Sequence, residues 1–286
     1  MSRLRVCGLL VSLLSFGQFG HAAAGDWVGD NRVSARLITA VTHVGVADTI
    51  DAGIEFRVAA GWHVYWRTPG DAGLPPSVDW GGSANVASAV IAWPFPTRLI
   101  VDGLQNNIYP GPVVLPVTVH LSRAGDATRL QARLSYAACG EVCVPYMADL
   151  TLRLSAGTAL PTSEAAEIAT ARTKVPGALS ALGGTLDGFV IRRDGGNPYL
   201  AVTLRSVGAP FLAPVLFIES DGVRGWGVPT VDLSSDRRIA TFHVTAPADV
   251  LDASGICLTM VDRGRAASFQ ANHAPGPAEA QRQTVC

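Results

Sequence analysis

Cys139 and Cys143 stand out as residues able to do chemistry, in the stretch Tyr136-Ala137-Ala138-Cys139-Gly140-Glu141-Val142-Cys143-Val144-Pro145-Tyr146. The runs on either side are strand-like, and Gly140-Glu141-Val142 is short enough to form a tight connection that sets the cysteines opposite one another. Directly opposed strand residues satisfy the Cα separation of about 4.4–6.8 Å that a disulfide needs. A loop this small gains little chain-entropy stabilisation from being closed. Such a bond is a poor staple and an adequate switch. Two other readings stay open: a local clasp on a hairpin, and a metal site in which both thiolates, with Met147, His63 or His120, hold Cu(I), which favours soft ligands. Zinc would need two more placed ligands that the sequence does not supply. A cysteine nucleophile with a base is weaker still, because none of the six histidines has a characteristic spacing from either cysteine. No cofactor is expected.

Whether two such cysteines meet as thiols or as a disulfide depends on the compartment. Arg3 and Arg5 precede an apolar run from Val6 to Phe19 that ends in Ala22, Ala23 and Ala24. This is the charged, apolar and small-residue order of a secretory signal peptide. The run is about 14 residues, against roughly 20 for a membrane-spanning helix, so residues 1–24, with Cys7, are expected to be removed. No later stretch reaches 18 uninterrupted apolar residues, and no membrane span of the chain's own is expected. The remaining cysteines, Cys139, Cys143, Cys257 and Cys286, are then oxidisable in the periplasm.

About 262 residues remain, enough for two domains with their own cores. Without Arg3 and Arg5 there are 20 basic and 23 acidic residues and no basic cluster, which argues against nucleic acid or anionic lipid as partners. Thirty glycines, 18 prolines and many β-branched runs favour sheets joined by turns.

The elements that must position the cysteines follow from that pattern. Alternating runs at Ser34–Val44, Ile54–Trp66, Val86–Trp93, Val113–Leu121, Leu130–Ala137 and Ala148–Leu154 predict a β-sandwich over residues 25–158. In residues 61–67, period two puts Trp62, Val64 and Trp66 on one face and His63, Tyr65 and Arg67 on the other. The first face is assigned to the core and His63 and Arg67 to a solvated face, while residues 68–76, rich in proline, are predicted to be a surface loop. The tryptophans 62, 66, 80 and 93 read as packing residues. A helical linker is predicted within residues 159–175, capped by Ser163 and stopped by Pro176 and Gly177. A second β-domain over 176–272 should hold strands at Phe189–Arg193, Tyr199–Arg205, Val215–Glu219, Arg238–Val244 and Gly255–Asp262. The tail 273–286 is expected to be poorly ordered. Cys257 reads equally well as a buried inert thiol or as a partner of Cys286.

Several ordered motifs carry a family resemblance. Gly61-Trp-His-Val-Tyr-Trp-Arg-Thr-Pro-Gly-Asp-Ala-Gly-Leu-Pro-Pro76, Trp93-Pro94 with Pro96, Gly103-Leu104 through Tyr109, Leu115-Pro116-Val117 and Cys139-Gly-Glu-Val-Cys143-Val-Pro145 resemble the N-terminal periplasmic region of the DsbD family. The ScsB-like branch, associated with suppression of copper sensitivity, is the nearer likeness, and Gly255–Asp262 is similar to its second β-domain. The resemblance implies an all-β chain of two immunoglobulin-like β-sandwich domains. It further implies that Cys139 and Cys143 cycle between dithiol and disulfide, passing reducing equivalents from a membrane-embedded donor to periplasmic thioredoxin-like or disulfide-containing acceptors. By the same analogy Cys143 forms the mixed disulfide, and Asn106 to Tyr109, with Ile108 and Tyr109, supply a cap loop over the pair. The family's membrane electron-transfer domain and thioredoxin-like domain are not in this sequence, so the donor is expected to be a separate protein. The contrasting reading is a non-enzymatic scaffold or binding protein with a structural disulfide.

Overall fold

The computed structural model describes residues 24–192, 198–220, 225–248 and 255–271. The expected signal peptide up to residue 23 and the tail with Cys286 lie outside the described residues.

Two antiparallel sheets form the first sandwich. One has the order β1 (Val28–Gly29), β2 (Val33–Thr39), β3 (Thr49–Val58), β9 (Val113–Leu121), β6 (Val86–Ile91). The other runs β11 (Cys143–Leu154), β10 (Thr128–Cys139), β4 (His63–Gly70), β8 (Leu104–Tyr109), β7 (Thr97–Val101), with the short β5 (Ser77–Asp79) also on β10. Alternation decides which residues enter the space between them. Ile50, Ala52, Ile54 and Phe56 of β3 face Leu130, Ala132, Leu134, Tyr136 and Ala138 of β10, all of them buried. Burial of each larger apolar side chain is worth about 1.5–3 kcal/mol.

Three local expectations are corrected. The run Ile54–Trp66 is two strands, because the chain turns at Ala59-Ala60-Gly61, where Trp62 N–H donates to the Ala59 carbonyl and Gly61 takes a φ of 80°. Of the residues predicted to be a loop, Thr68, Pro69 and Gly70 complete β4. A proline is tolerated there because the β4–β8 register shifts between Tyr65 and Gly70, so Pro69 has no ladder bond to donate. Thirdly, the outer face of β4 is not solvated: His63 is half-buried, Tyr65 is buried, and Arg67 is held by the second domain. The tryptophans pack as read: Trp66 is fully buried, and Trp62, Trp80 and Trp93 lie half-buried against the same core.

Helix α1 (Ala165–Thr173) lies on the outside of the β3–β9 sheet, where Ile168 and Ala171 pack with Ile38 and Val114. Its N-cap is Glu164 without a side-chain cap bond. Ser163, expected to cap, instead donates to the Glu164 carboxylate.

The second sandwich sets β12 (Gly184–Arg192), β13 (Tyr199–Ser206), β16 (Ile239–Thr245) and β15 (Thr230–Leu233) against β14 (Val215–Ser220), β17 (Ile256–Asp262) and β18 (Arg265–Ala271). All five strands read from sequence are present, and β15 and β18 are added. The two sandwiches meet through a side chain: Phe217 of β14 packs edge-on to Trp66, with ring centroids 6.0 Å apart, and belongs to the first domain's core.

Candidate functional site

β10 and β11 pair along their whole length, from Thr128 opposite Leu154 to Cys139 opposite Cys143. The hairpin therefore ends on the two cysteines. They form a disulfide with Cα atoms 4.1 Å apart, and Gly140 N–H donates to the Val142 carbonyl within the closed turn.

The two sulfurs have different surroundings. Cys139 is buried, with 2% of its surface accessible, whereas Cys143 and its neighbours Glu141 and Val142 are exposed. β4 supplies the wall on the buried side, because Cys139 pairs with His63 and Ala138 with Val64. Two residues along the strand, on the same face as His63, the Tyr65 hydroxyl donates to Cys139 Sγ at 3.1 Å and lies 3.9 Å from Cys143 Sγ. Burial pushes the Tyr65 hydroxyl above its usual pKa, so it remains an O–H donor at neutral pH. Burial also lowers the His63 pKa, which favours the neutral ring that sits edge-on to Tyr65 at 5.3 Å.

A loop covers this arrangement. After Gly70 the chain crosses the Tyr65 ring at Gly73, which has a φ of 98° and lies so close that a Cβ there would be 2.2 Å from the ring. The Leu74 carbonyl then accepts from Ala137 N–H on β10. The loop is tied to β8: Asp71 N–H donates to the Gln105 carbonyl, the Asp71 carboxylate accepts from Gln105 N–H, and the Asn106 side-chain oxygen accepts from Ala72 N–H.

The predicted cap segment is thus strand β8, which pairs with β4 through Tyr65–Ile108 and Val64–Tyr109. Its residues differ in role. Ile108 packs directly in the cluster of Tyr65, Ala137 and Cys139. Tyr109 points into the sandwich core and donates to the Pro94 carbonyl. The segment that overlies the site is residues 71–76, whose signal in the sequence was the glycine and proline content that marked it as a loop.

Of the three candidates for copper only His63 lies beside the cysteines, opposite Cys139: His120 lies on β9 in the facing sheet, and Met147 is exposed on β11, paired with Ser135. Among the described residues no group of three His, Cys, Asp or Glu is placed to hold a metal ion. Cys257 is disulfide-bonded, so it is not the free buried thiol of the first alternative.

The first domain is an immunoglobulin-like sandwich in which one hairpin ends in a half-exposed disulfide with a tyrosine hydroxyl on the buried sulfur. Residues 36–155 match the family described as "Thiol:disulfide interchange protein DsbD, N-terminal", which makes this segment a DsbD-type N-terminal region. Among solved structures, the N-terminal periplasmic domain of ScsB from Proteus mirabilis is similar, with a TM-score of 0.68 and 20% identity over 87% of this chain and 97% of that one. No curated protein sequence matches. No helix among the described residues is long and apolar enough to cross a membrane.

Proposed function

We propose that this protein is a periplasmic thiol–disulfide exchange module that carries two electrons on the Cys139–Cys143 pair between a membrane-embedded dithiol donor and a periplasmic acceptor. The observation that carries the reading is the asymmetry of the pair: one sulfur is exposed, and the other is buried against a hydroxyl donor.

Thiolate attack on a disulfide expels the second sulfur as a thiolate. Only Cys143 is open to an incoming group. A donor thiolate attacks Cys143 Sγ, a new S–S bond forms, and the Cys139–Cys143 bond breaks with its electron pair going to Cys139. The Tyr65 O–H donates to that thiolate as it develops, and such charge-assisted hydrogen bonds are stronger than neutral ones. Cys139 then takes a proton. The donor's second thiolate attacks its own sulfur in the mixed disulfide and releases Cys143, which is also protonated. The donor leaves as a disulfide, and this chain holds two thiols. The same steps in reverse, with an acceptor's disulfide, discharge the pair. Among the described residues no helix N-terminus lies at the cysteines to depress a thiol pKa, and Tyr65 is a local group that favours the thiolate.

The test is the reduction potential of the pair, measured on purified protein equilibrated with glutathione or dithiothreitol buffers. The expected value lies at roughly −120 to −270 mV, the range of exchange-active proteins. A value well below about −300 mV is that of a structural bridge and favours the scaffold reading.

A further inference from the structure

The second sandwich reaches the strand that carries Tyr65. Arg67, two residues on and on the same face of β4, donates to the Glu219 carboxylate through Nε at 2.8 Å and Nη2 at 2.7 Å. The Thr68 hydroxyl donates to the same carboxylate at 2.6 Å. Glu219 belongs to β14, and both partners of the ion pair are largely covered, with side-chain exposures of 26% and 14%. This contact falls where β4 lacks its own sheet support: between Tyr65–Ile108 and Gly70–Asn106 the register shifts, leaving residues 66–69 opposite Asn107 alone. There the Asn107 side chain donates to the Thr68 carbonyl.

We propose that Glu219 is a positioning residue for the exchange reaction, holding Arg67 and Thr68 so that β4 presents the Tyr65 hydroxyl to Cys139. This rests on the exchange reading above. The carboxylate replaces the missing ladder bonds at the irregular part of the strand, and a bidentate Arg–carboxylate pair fixes both distance and plane. The covering loop leaves the strand directly after this clamp, at Gly70, so the same contact sets where Gly73 meets the Tyr65 ring. Glu219 touches neither Cys139 nor Cys143, lying instead 3.7 Å from Cys257 Sγ, and acts on the pair only through the strand.

A double-mutant cycle tests it on the whole protein, with the rate at which dithiothreitol reduces the Cys139–Cys143 disulfide, followed by mass spectrometry of the alkylated peptides so that the bond at Cys257 is not counted, as the readout. Glu219→Gln is expected to slow reduction about threefold, a part of the loss caused by removing the Tyr65 hydroxyl. In a Tyr65→Phe background it should slow the reaction no further. Thr68→Val, which removes one of the three contacts, should act in the same direction and serves where Glu219→Gln does not fold. A rate unchanged by these substitutions overturns the inference, and so does an equal slowing with and without the Tyr65 hydroxyl, which would place the effect elsewhere. A wild-type disulfide that resists dithiothreitol altogether overturns the exchange reading and this inference with it. An exchange-competent wild type with unaltered variants overturns the inference alone.

Discussion

Tyr65 and Cys139 are 74 positions apart in the chain, and the hydroxyl of one lies 3.1 Å from the sulfur of the other. The contact exists because β4 and β10 are neighbours at their ends, with His63 opposite Cys139. It gives the buried sulfur a donor where the exposed sulfur meets solvent.

Tyr65→Phe keeps the ring under Gly73 and removes only the donor. Reduction of the disulfide by dithiothreitol is expected to slow about tenfold, in line with loss of a hydrogen bond to a charged group. The Cys139 thiol should titrate at higher pH in the reduced variant, which thiolate absorbance in the ultraviolet would report. An unchanged rate and an unchanged titration would remove Tyr65 from the reaction.

The unequal exposure of the sulfurs predicts which single mutant captures a partner. In a background with Cys257 and Cys286 both replaced by Ser, Cys139→Ser leaves the exposed Cys143 to form a mixed disulfide with no internal thiol to resolve it. Cys143→Ser leaves only the buried thiol and should capture far less. Non-reducing gels of cells expressing each variant compare them, and adducts on Cys143→Ser alone would reverse the assignment.

Removing the disulfide should cost little stability. Replacing Cys139 and Cys143 by Ser is expected to lower the unfolding free energy by about 2 kcal/mol or less, because the closed loop is so short. Urea denaturation checks this. A loss near the upper end of the roughly 2–5 kcal/mol typical of native bridges would favour the clasp.

Gly73→Ala adds a Cβ where the backbone is left-handed and the Tyr65 ring already fills the space. Either the loop or the ring must move. Stability is expected to fall by about 1–3 kcal/mol, and reduction should slow toward the Tyr65→Phe rate. Wild-type kinetics in a folded Gly73→Ala protein would show that the loop can yield without disturbing the hydroxyl.

His63 predicts a dependence on acidity. Its folded pKa is lowered from 6.5 by burial, so the unfolded chain takes up a proton first as pH falls. This contribution leaves stability unaffected above about pH 6.5 and reduces it as pH drops through 6.5 toward the folded value. Denaturation at pH 7.5 and 5.5 should therefore show a smaller acid loss in His63→Gln than in wild type, and equal losses would contradict the shift.

Much of this architecture could be read from period-two alternation. β9 coincides with its predicted span, and the five strands read in the second domain are all found, because each is a β-branched or aromatic run between turn signals. β15 and β18 escaped notice: one has only four residues, and the other, Arg265–Ala271, is rich in alanine and serine. The cysteines stood out by spacing alone. Tyr65 did not, since alternation placed it on a face read as solvated, and only the loop and β10 packing over it show otherwise. Glu219 left no local signal at all, because its partners Arg67 and Thr68 lie in another domain and ion pairs across 152 positions have no periodicity.

Phe217 has a consequence for how this protein unfolds and how it can be divided. Its ring closes over Trp66 inside the first domain's core, so the first sandwich has no finished hydrophobic interior without the second. The two halves should melt together in one calorimetric transition, and cutting the chain between them would leave an indole uncovered. A different sandwich placed here would have to bring an apolar group to the same place for the first core to close.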